Sequence, residues 1–341
     1  MMRYLSQEEK KNTISLWTEA FPEDSDSFLE YYYREKIKDN RILVAEEEES
    51  AKIVSMLHRN PYKLQVNKAV WEIDYIVGVA TARAYRHRGL MKSLLIRMMK
   101  DMYQEGKEFC FLMPAAPEIY SPFDFVYIYD QPHWKLKKET GSGKKTPSAI
   151  GDWMNQWLEK RFQVYAIRTC SYIERLYQEL ESERGCLEVF LSEKSKQITG
   201  VRGWWGIEKK EQRLLMTDED LVEKDKPDTP AIMARIIHLK NFLKAIHLKT
   251  RDCLGKVSLT VQLQIEDRIC EENNGTFLWI IGEEKSELYP WEEGMEVEET
   301  LQTGIGPLTG YLFGYDRKLS QTALWAERIQ TLGPVFLDEV V

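Results

Sequence analysis

The stretch VGVATARAYRHRGLMK, residues 77–92, decides how this 341-residue chain is read. It closes an apolar, β-branched run that begins at residue 70, the composition of a strand inside a sheet. A turn carrying Arg83, Arg86, His87 and Arg88 follows. From about Gly89 to residue 103 the pattern is helical, with Leu94, Leu95, Met98, Met99 and Met102 on one face. The first N–H groups of a helix have no intrahelical acceptor and stand at the positive end of its dipole, so a strand, a basic turn and a helix form a diphosphate cradle. Gly89 lets an anion approach the backbone, the arginines add charge, and Lys92 sits one turn into the helix. Neither a Walker loop nor the GxGxxG dinucleotide fingerprint is present. Taken alone, the turn reads equally well as a solvated basic loop.

Upstream, residues 3–5 read as a short strand. Ser6 and the acidic residues after it open a helix through Ile14, Leu16, Trp17 and Phe21, and a second helix covers residues 27–33. Residues 41–46 and 52–58 read as strands joined by a solvated acidic turn. Downstream, residues 108–113 form a buried strand ended by Pro114 and Pro117. The order strand, helix, helix, three strands, helix, strand is a mixed α/β unit.

The polar segment KLKKETGSGKKTPS, residues 135–148, reads as an exposed linker. Helices over 153–161 and 172–182 and strands over 187–191 and 198–205 follow, and the charged, proline-containing stretch 223–230 closes this region. A strand over 232–239 and a short helix over 241–246 begin the last segment. Val257, Leu259, Val261, Leu263 and Ile265 then alternate with polar residues, the signature of a half-buried strand. A second strand is expected over 276–281, and helices over 307–313 and 322–332.

A net charge of −8 opposes a polyanion, which excludes broad nucleic-acid binding. No apolar run reaches the roughly 20 residues of a membrane span, and the first residues lack a signal-peptide core, so a cytoplasmic protein is expected. The five cysteines form no metal-binding spacing and read as reduced, mostly buried thiols, with no metal expected.

The strand, the RHRGL turn, the helix and the following FLMPAAPEIYSPFDF, residues 111–125, resemble the GNAT acetyltransferases, and among them the Eis-like (enhanced intracellular survival) branch. The resemblance is dense over about residues 70–127, and its outline extends to the whole chain. It implies an α+β protein in three parts. Residues 1–134 would be a GNAT domain, a mixed sheet flanked by helices that binds acetyl-CoA. Residues 135–229 would be a degenerate second GNAT-like region, and residues 230–341 a sterol-carrier-protein-like domain.

The resemblance also implies roles. Arg86, His87, Arg88, Gly89, Leu90, Met91 and Lys92 would hold the CoA pyrophosphate, Val79, Ala80 and Thr81 would pair with the pantetheine amides, and Ala115 and Ala116 would complete the cofactor contacts. Tyr120 would be the general acid, although its neighbours Phe123 and Phe125 fit a core aromatic equally well. The terminal carboxylate, on Val341, would be the base, carried inward by the apolar tail or merely packed on the surface. Implied with these are a small-molecule or peptide amine acceptor and a homo-oligomer, of which a hexamer is one form. The rival is a non-catalytic CoA- or lipid-binding module with a vestigial site.

Overall fold

The computed structural model describes residues 1–138, 141–249, 258–316, 318–319 and 324–339. The chain opens with β1 (Met2–Tyr4), α1 (Ile14–Ala20), α2 (Asp26–Glu35), β2 (Arg41–Glu46), β3 (Ile53–Val66) and β4 (Ala69–Thr81). Helix α3 (Leu90–Gln104), β5 (Phe109–Leu112), the one-turn α4 (Pro117–Tyr120) and β6 (Val126–Leu136) follow. The order through β5 matches the reading from sequence, while α4 and β6 were not foreseen. Ser25 caps α2 by accepting the Phe28 N–H at 3.0 Å, and the methionine-rich face of α3 is buried against one side of the sheet. On the opposite side α1 and α2 cover Ile42, Val44 and Met56 with Trp17 and Tyr32.

β1 to β4 pair antiparallel in sequence order, and β4 then runs parallel to β5. Two residues of β4, Gly78 and Val79, oppose the single Leu57 of β3, which is a bulge. Gly78 sits there at φ +59°, and a Cβ added to it would lie 2.6 Å from Cζ3 of Trp17. Both the left-handed backbone and the tryptophan lid require glycine at this position. Before the bulge β4 is bound to β5 at Asp74↔Cys110 and Tyr75↔Phe111; beyond these pairs the two strands part.

The sheet is completed from far along the chain. Residues 223–230, expected as a charged stretch that closes the middle region, and most of the strand expected over 232–239 form the single β11 (Val222–Ile236). Its last residues, Met233 to Ile236, lie beside β5, while most of its length pairs with β6. Pro227 and Pro230 are tolerated because that part of the strand has a neighbour on one side only. The charges of this stretch lie on the exposed part of the strand. The boundaries expected after residues 134 and 229 therefore fall inside β6 and β11.

The middle region contains α5 (Pro147–Glu159), β7 (Val164–Ala166), α6 (Cys170–Ser182) and a three-stranded antiparallel sheet of β8 (Cys186–Leu191), β9 (Ile198–Trp205) and β10 (Glu211–Thr217). β10 was not foreseen. The last region has α7 (Leu239–Leu243), β12 (His247–Leu248), β13 (Ser258–Glu266), β14 (Gly275–Gly282), β15 (Ser286–Pro290), β16 (Glu299–Gly304), α8 (Ile305–Leu312), β17 (Ile329–Gln330) and β18 (Val335–Phe336). Leu259, Val261, Leu263 and Ile265 of β13 are buried, as their alternation requires. The helix expected over 322–332 is, within the described residues, a 3-10 turn at Leu324–Arg328 followed by β17. Its apolar residues are set by contact with neighbouring strands instead of by a helical face. Among the described residues no helix is long and apolar enough to cross a membrane. Of the four described cysteines, Cys110 and Cys270 are buried but Cys170 and Cys186 are exposed, against the expectation of mostly buried thiols; Cys253 lies outside the described residues.

One core residue makes a testable demand on pH. His58 is buried under Trp17, bonded through Nδ1 to Tyr32 Oη at 2.9 Å, with Nε2 unpartnered among the described residues. Burial pushes its imidazole down to about 3. Unfolded histidine takes its proton near 6.5, so between about 6.5 and 3 the unfolded chain holds the extra proton. Stability therefore falls as pH drops through that window, by up to about 1.4 kcal/mol per pH unit. An acid titration followed by circular dichroism should show a shallower loss for His58→Gln; an unchanged slope would remove His58 from the account.

Candidate functional site

Because β4 and β5 run parallel, their C-terminal ends lie together, and the loops after them flank the gap between the strands. After β4 the chain makes a 3-10 turn at Arg83–Tyr85, passes through left-handed His87 (φ +61°) and Gly89 (φ +77°), and enters α3 with Gly89 as its N-cap. The first helical bond runs from Ser93 N–H to Gly89 C=O at 3.0 Å. The N–H groups of Leu90, Met91 and Lys92 are thus the orphan donors of the helix. A Cβ on Gly89 would meet nothing within 4 Å, so the space in front of these donors is open.

The side chains of the turn are exposed at Arg83, Arg86, His87, Arg88 and Lys92. Arg86 Nε donates to Thr81 C=O at 3.1 Å and Arg88 Nη2 to Ala84 C=O at 3.0 Å, bonds that brace the loop against its own strand. Arg88 also lies 4.9 Å over the Tyr85 ring, whose hydroxyl donates to the Glu47 carboxylate. Their charge therefore stays within the turn.

On the β4 side, Val79, Ala80 and Thr81 line the edge that β5 does not pair, since β5 contacts β4 only up to Tyr75 among the described residues. On the β5 side, exposed Ala115 and half-buried Ala116 lead into α4, which ends at Tyr120. Tyr120 packs with Val79, Leu90 and Met91 against the same group of core residues, and its ring meets Phe125 edge-on at 6.0 Å. Its hydroxyl has no hydrogen-bond partner among the described residues, and burial pushes the phenol up to about 12. The fold thus brings the strand edge, the helix start and the phenol onto one group of core residues.

Val341 lies outside the described residues, as does Val340. The tail leading to them is described to Glu339. β18 pairs parallel to β7 (Val335↔Val164, Phe336↔Tyr165), and β7 pairs antiparallel to β3 (Leu64↔Ala166). The tail therefore runs toward lower numbers on β3 and higher numbers on β4, which is toward the point where β4 parts from β5. Asp338 and Glu339 are buried against Arg168, whose Nη1 donates to Glu339 at 2.6 Å and whose Nη2 donates to Asp338. Tyr172 Oη adds a bond to Glu339 at 3.3 Å.

Sequence reasoning missed this anchor. The available signal was two adjacent acids in an apolar tail, since carboxylates are seldom buried without a cation. Nothing local marks Arg168 as that cation. Among the described residues no group of His, Cys, Asp and Glu side chains is placed to hold a metal ion.

Comparison with known proteins agrees with this architecture. Residues 1–128 match the acetyltransferase (GNAT) domain family and residues 240–337 the sterol carrier protein domain family. No curated protein matches the chain by sequence. In fold, 97% of the chain superposes on 93% of a probable N-acyltransferase of Enterococcus faecalis, with TM-score 0.77 and 14% identity. The whole chain superposes on 98% of a GCN5-related N-acetyltransferase from Kribbella flavida (TM-score 0.72, 15% identity). Eis1 of Mycobacterium abscessus is similar over 98% of this chain and 94% of its own (TM-score 0.66, 10% identity). Residues 1–128 thus form a GNAT acetyltransferase domain and residues 240–337 a sterol carrier protein domain, and the fold that spans both is similar to that of the Eis1 structure and the other two.

Proposed function

We propose that the chain moves an acetyl group from acetyl-CoA to a primary amine by direct attack within a ternary complex. The observation that carries this reading is the gap between β4 and β5, which has an unpaired strand edge, an open helix N-terminus and an unpartnered phenol around it. The amides of Gly89, Leu90, Met91 and Lys92 would take the pyrophosphate, with the charge of Arg86, His87, Arg88 and Lys92 around it. The edge at Val79, Ala80 and Thr81 would receive the pantetheine amides as a strand would be received, and a free N–H there would polarise the thioester carbonyl. Ala115 and Ala116 close the other lip.

In the reaction an N–C bond forms and a C–S bond breaks. The amine loses a proton and the sulfur gains one. The carboxylate of Val341 would accept the first, and Tyr120 would supply the second. The tail's heading supports the base: Glu339 is buried beside Tyr172, and two more residues extend at most about 7 Å. With the reading go a cytoplasmic location, a homo-oligomer, and a division of labour in which the C-terminal domain delivers the tail.

Calorimetry with acetyl-CoA tests the first step. One equivalent should bind per chain, and the affinity should weaken as salt rises, because the cradle acts on phosphate charge. A folded protein that takes up no acetyl-CoA would end the reading.

A further inference from the structure

A second cavity, of about 240 Å3, opens between β3, the end of α2, α6 and β10. It lies on the α1–α2 face of the main sheet. Asn60 and Tyr62, in its wall, stand two and four residues along β3 from His58, which Trp17 and Tyr32 cover, whereas α3 packs on the other face. Asn60 pairs with Tyr75, the last residue of β4 that β5 binds. The cavity thus lies one strand from the gap, on the face of the sheet that α3 does not cover. Its inner wall meets the tail through Tyr172 and Arg213.

Three side chains in this wall are buried with polar atoms left unsatisfied. Among the described residues Asn60 Nδ2, Glu179 Oε1, and Nε and Nη1 of Arg213 find no hydrogen-bond partner, although the three residues are only 3%, 4% and 7% exposed. Arg213 faces Glu179 at 3.7 Å and Asp338 at 3.8 Å, near enough for attraction and too far for a hydrogen bond. Buried polar groups are seldom left so, and a ligand that completes their bonds is the direct explanation.

Charge then selects the ligand. Lys36, Lys63, Arg175 and Arg213 line the cavity against Asp39 and Glu179. Arg175 takes Asp39 at 2.5 Å, Lys36 takes Glu179 at 3.5 Å and Arg213 stands between Glu179 and Asp338, which leaves Lys63 at the exposed rim without an ion pair among the described residues. A polycation is repelled here. A carboxylate finds a guanidinium and the Asn60 amide, while Glu179 Oε1 accepts a donor from the same molecule. The volume is below the roughly 300–1,000 Å3 of sites for drug-sized ligands, so the molecule is compact.

We infer that this cavity receives the acetyl acceptor, and that the acceptor is a compact amine bearing a carboxylate, of amino-acid or dipeptide size. The inference rests on the acetyl-transfer reading above. Its test is CoA-thiol release from acetyl-CoA with matched pairs, each an amino acid or dipeptide and its carboxamide, alongside spermidine. The free carboxylate should be used with kcat/KM at least tenfold above its carboxamide and above spermidine. Arg213→Gln should bring that ratio down toward one. So should Lys63→Gln, at an exposed position where folding is not at stake. Equal or better use of carboxamides or spermidine overturns the inference, as does a ratio that neither variant moves. Acetyl-CoA binding measured on the same protein separates the two failures. A chain that binds acetyl-CoA yet acetylates none of the carboxylate-bearing amines overturns the acceptor class alone, and one that binds none overturns the transfer reading with it.

Discussion

Tyr120→Phe should lower kcat about 10²–10⁴-fold while leaving the Kd for acetyl-CoA within about twofold. The substitution keeps the ring that packs with Val79, Leu90 and Met91 and meets Phe125, and removes only the hydroxyl, which has no partner among the described residues. Binding and stability are therefore spared, and only the proton is lost. Because burial lifts the phenol to about 12, Tyr120 stays protonated well past neutrality. The acid must hold its proton to act, so kcat should show no alkaline loss from this group below about pH 10. Steady-state kinetics by thiol release decide the matter: a variant retaining more than a tenth of wild-type kcat takes proton donation away from Tyr120.

Arg168→Met should cost about 3–5 kcal/mol of unfolding free energy, the range for removing one member of a buried ion pair. Arg168 is the cation against which both Asp338 and Glu339 are buried, and methionine leaves two carboxylates without it. Glu339 is already pushed up by burial, opposed chiefly by Arg168, so in the variant it should take a proton or leave the interior. Turnover should fall as well, since the tail would no longer be held toward the gap. Denaturant midpoints measure the first effect. Adding Asp338→Asn and Glu339→Gln to the same background should recover part of the loss, because neutral amides can be buried more cheaply than unpaired charges. If the triple variant is no more stable than Arg168→Met, charge burial is not the cause.

How much of this was legible in the sequence follows from the range of the forces involved. β4, α3 and β13 announce themselves because each buries one face with its own period, a local property. Gly89 and the basic turn were readable for the same reason, since a helix start is a local event. β11 was not, because its prolines and charges suit an edge, and whether a strand is an edge depends on neighbours about 90 to 120 residues away. Arg168 and the wall of the small cavity were hidden for a related reason. Arg168 meets residues 170 and 171 positions later, and Asn60, Glu179 and Arg213 come from three different elements. The bulge at Gly78 lay between. The glycine was visible, but Trp17, which fills the place of its side chain, was not.

The interleaving of strands also governs how the chain can be made. β5 ends at Leu112, yet its neighbour begins at Met233, and β7 must wait for Val335. At a ribosomal rate of about 5–20 residues per second, β5 stands without that partner for roughly 6–24 s. During that interval Phe109 and Phe111, which end fully buried, have an open flank. Folding of the first sheet is thus a late event in synthesis. Slow decoding between residues 112 and 233 would lengthen the period in which a growing chain needs a chaperone or meets its neighbours on the polysome.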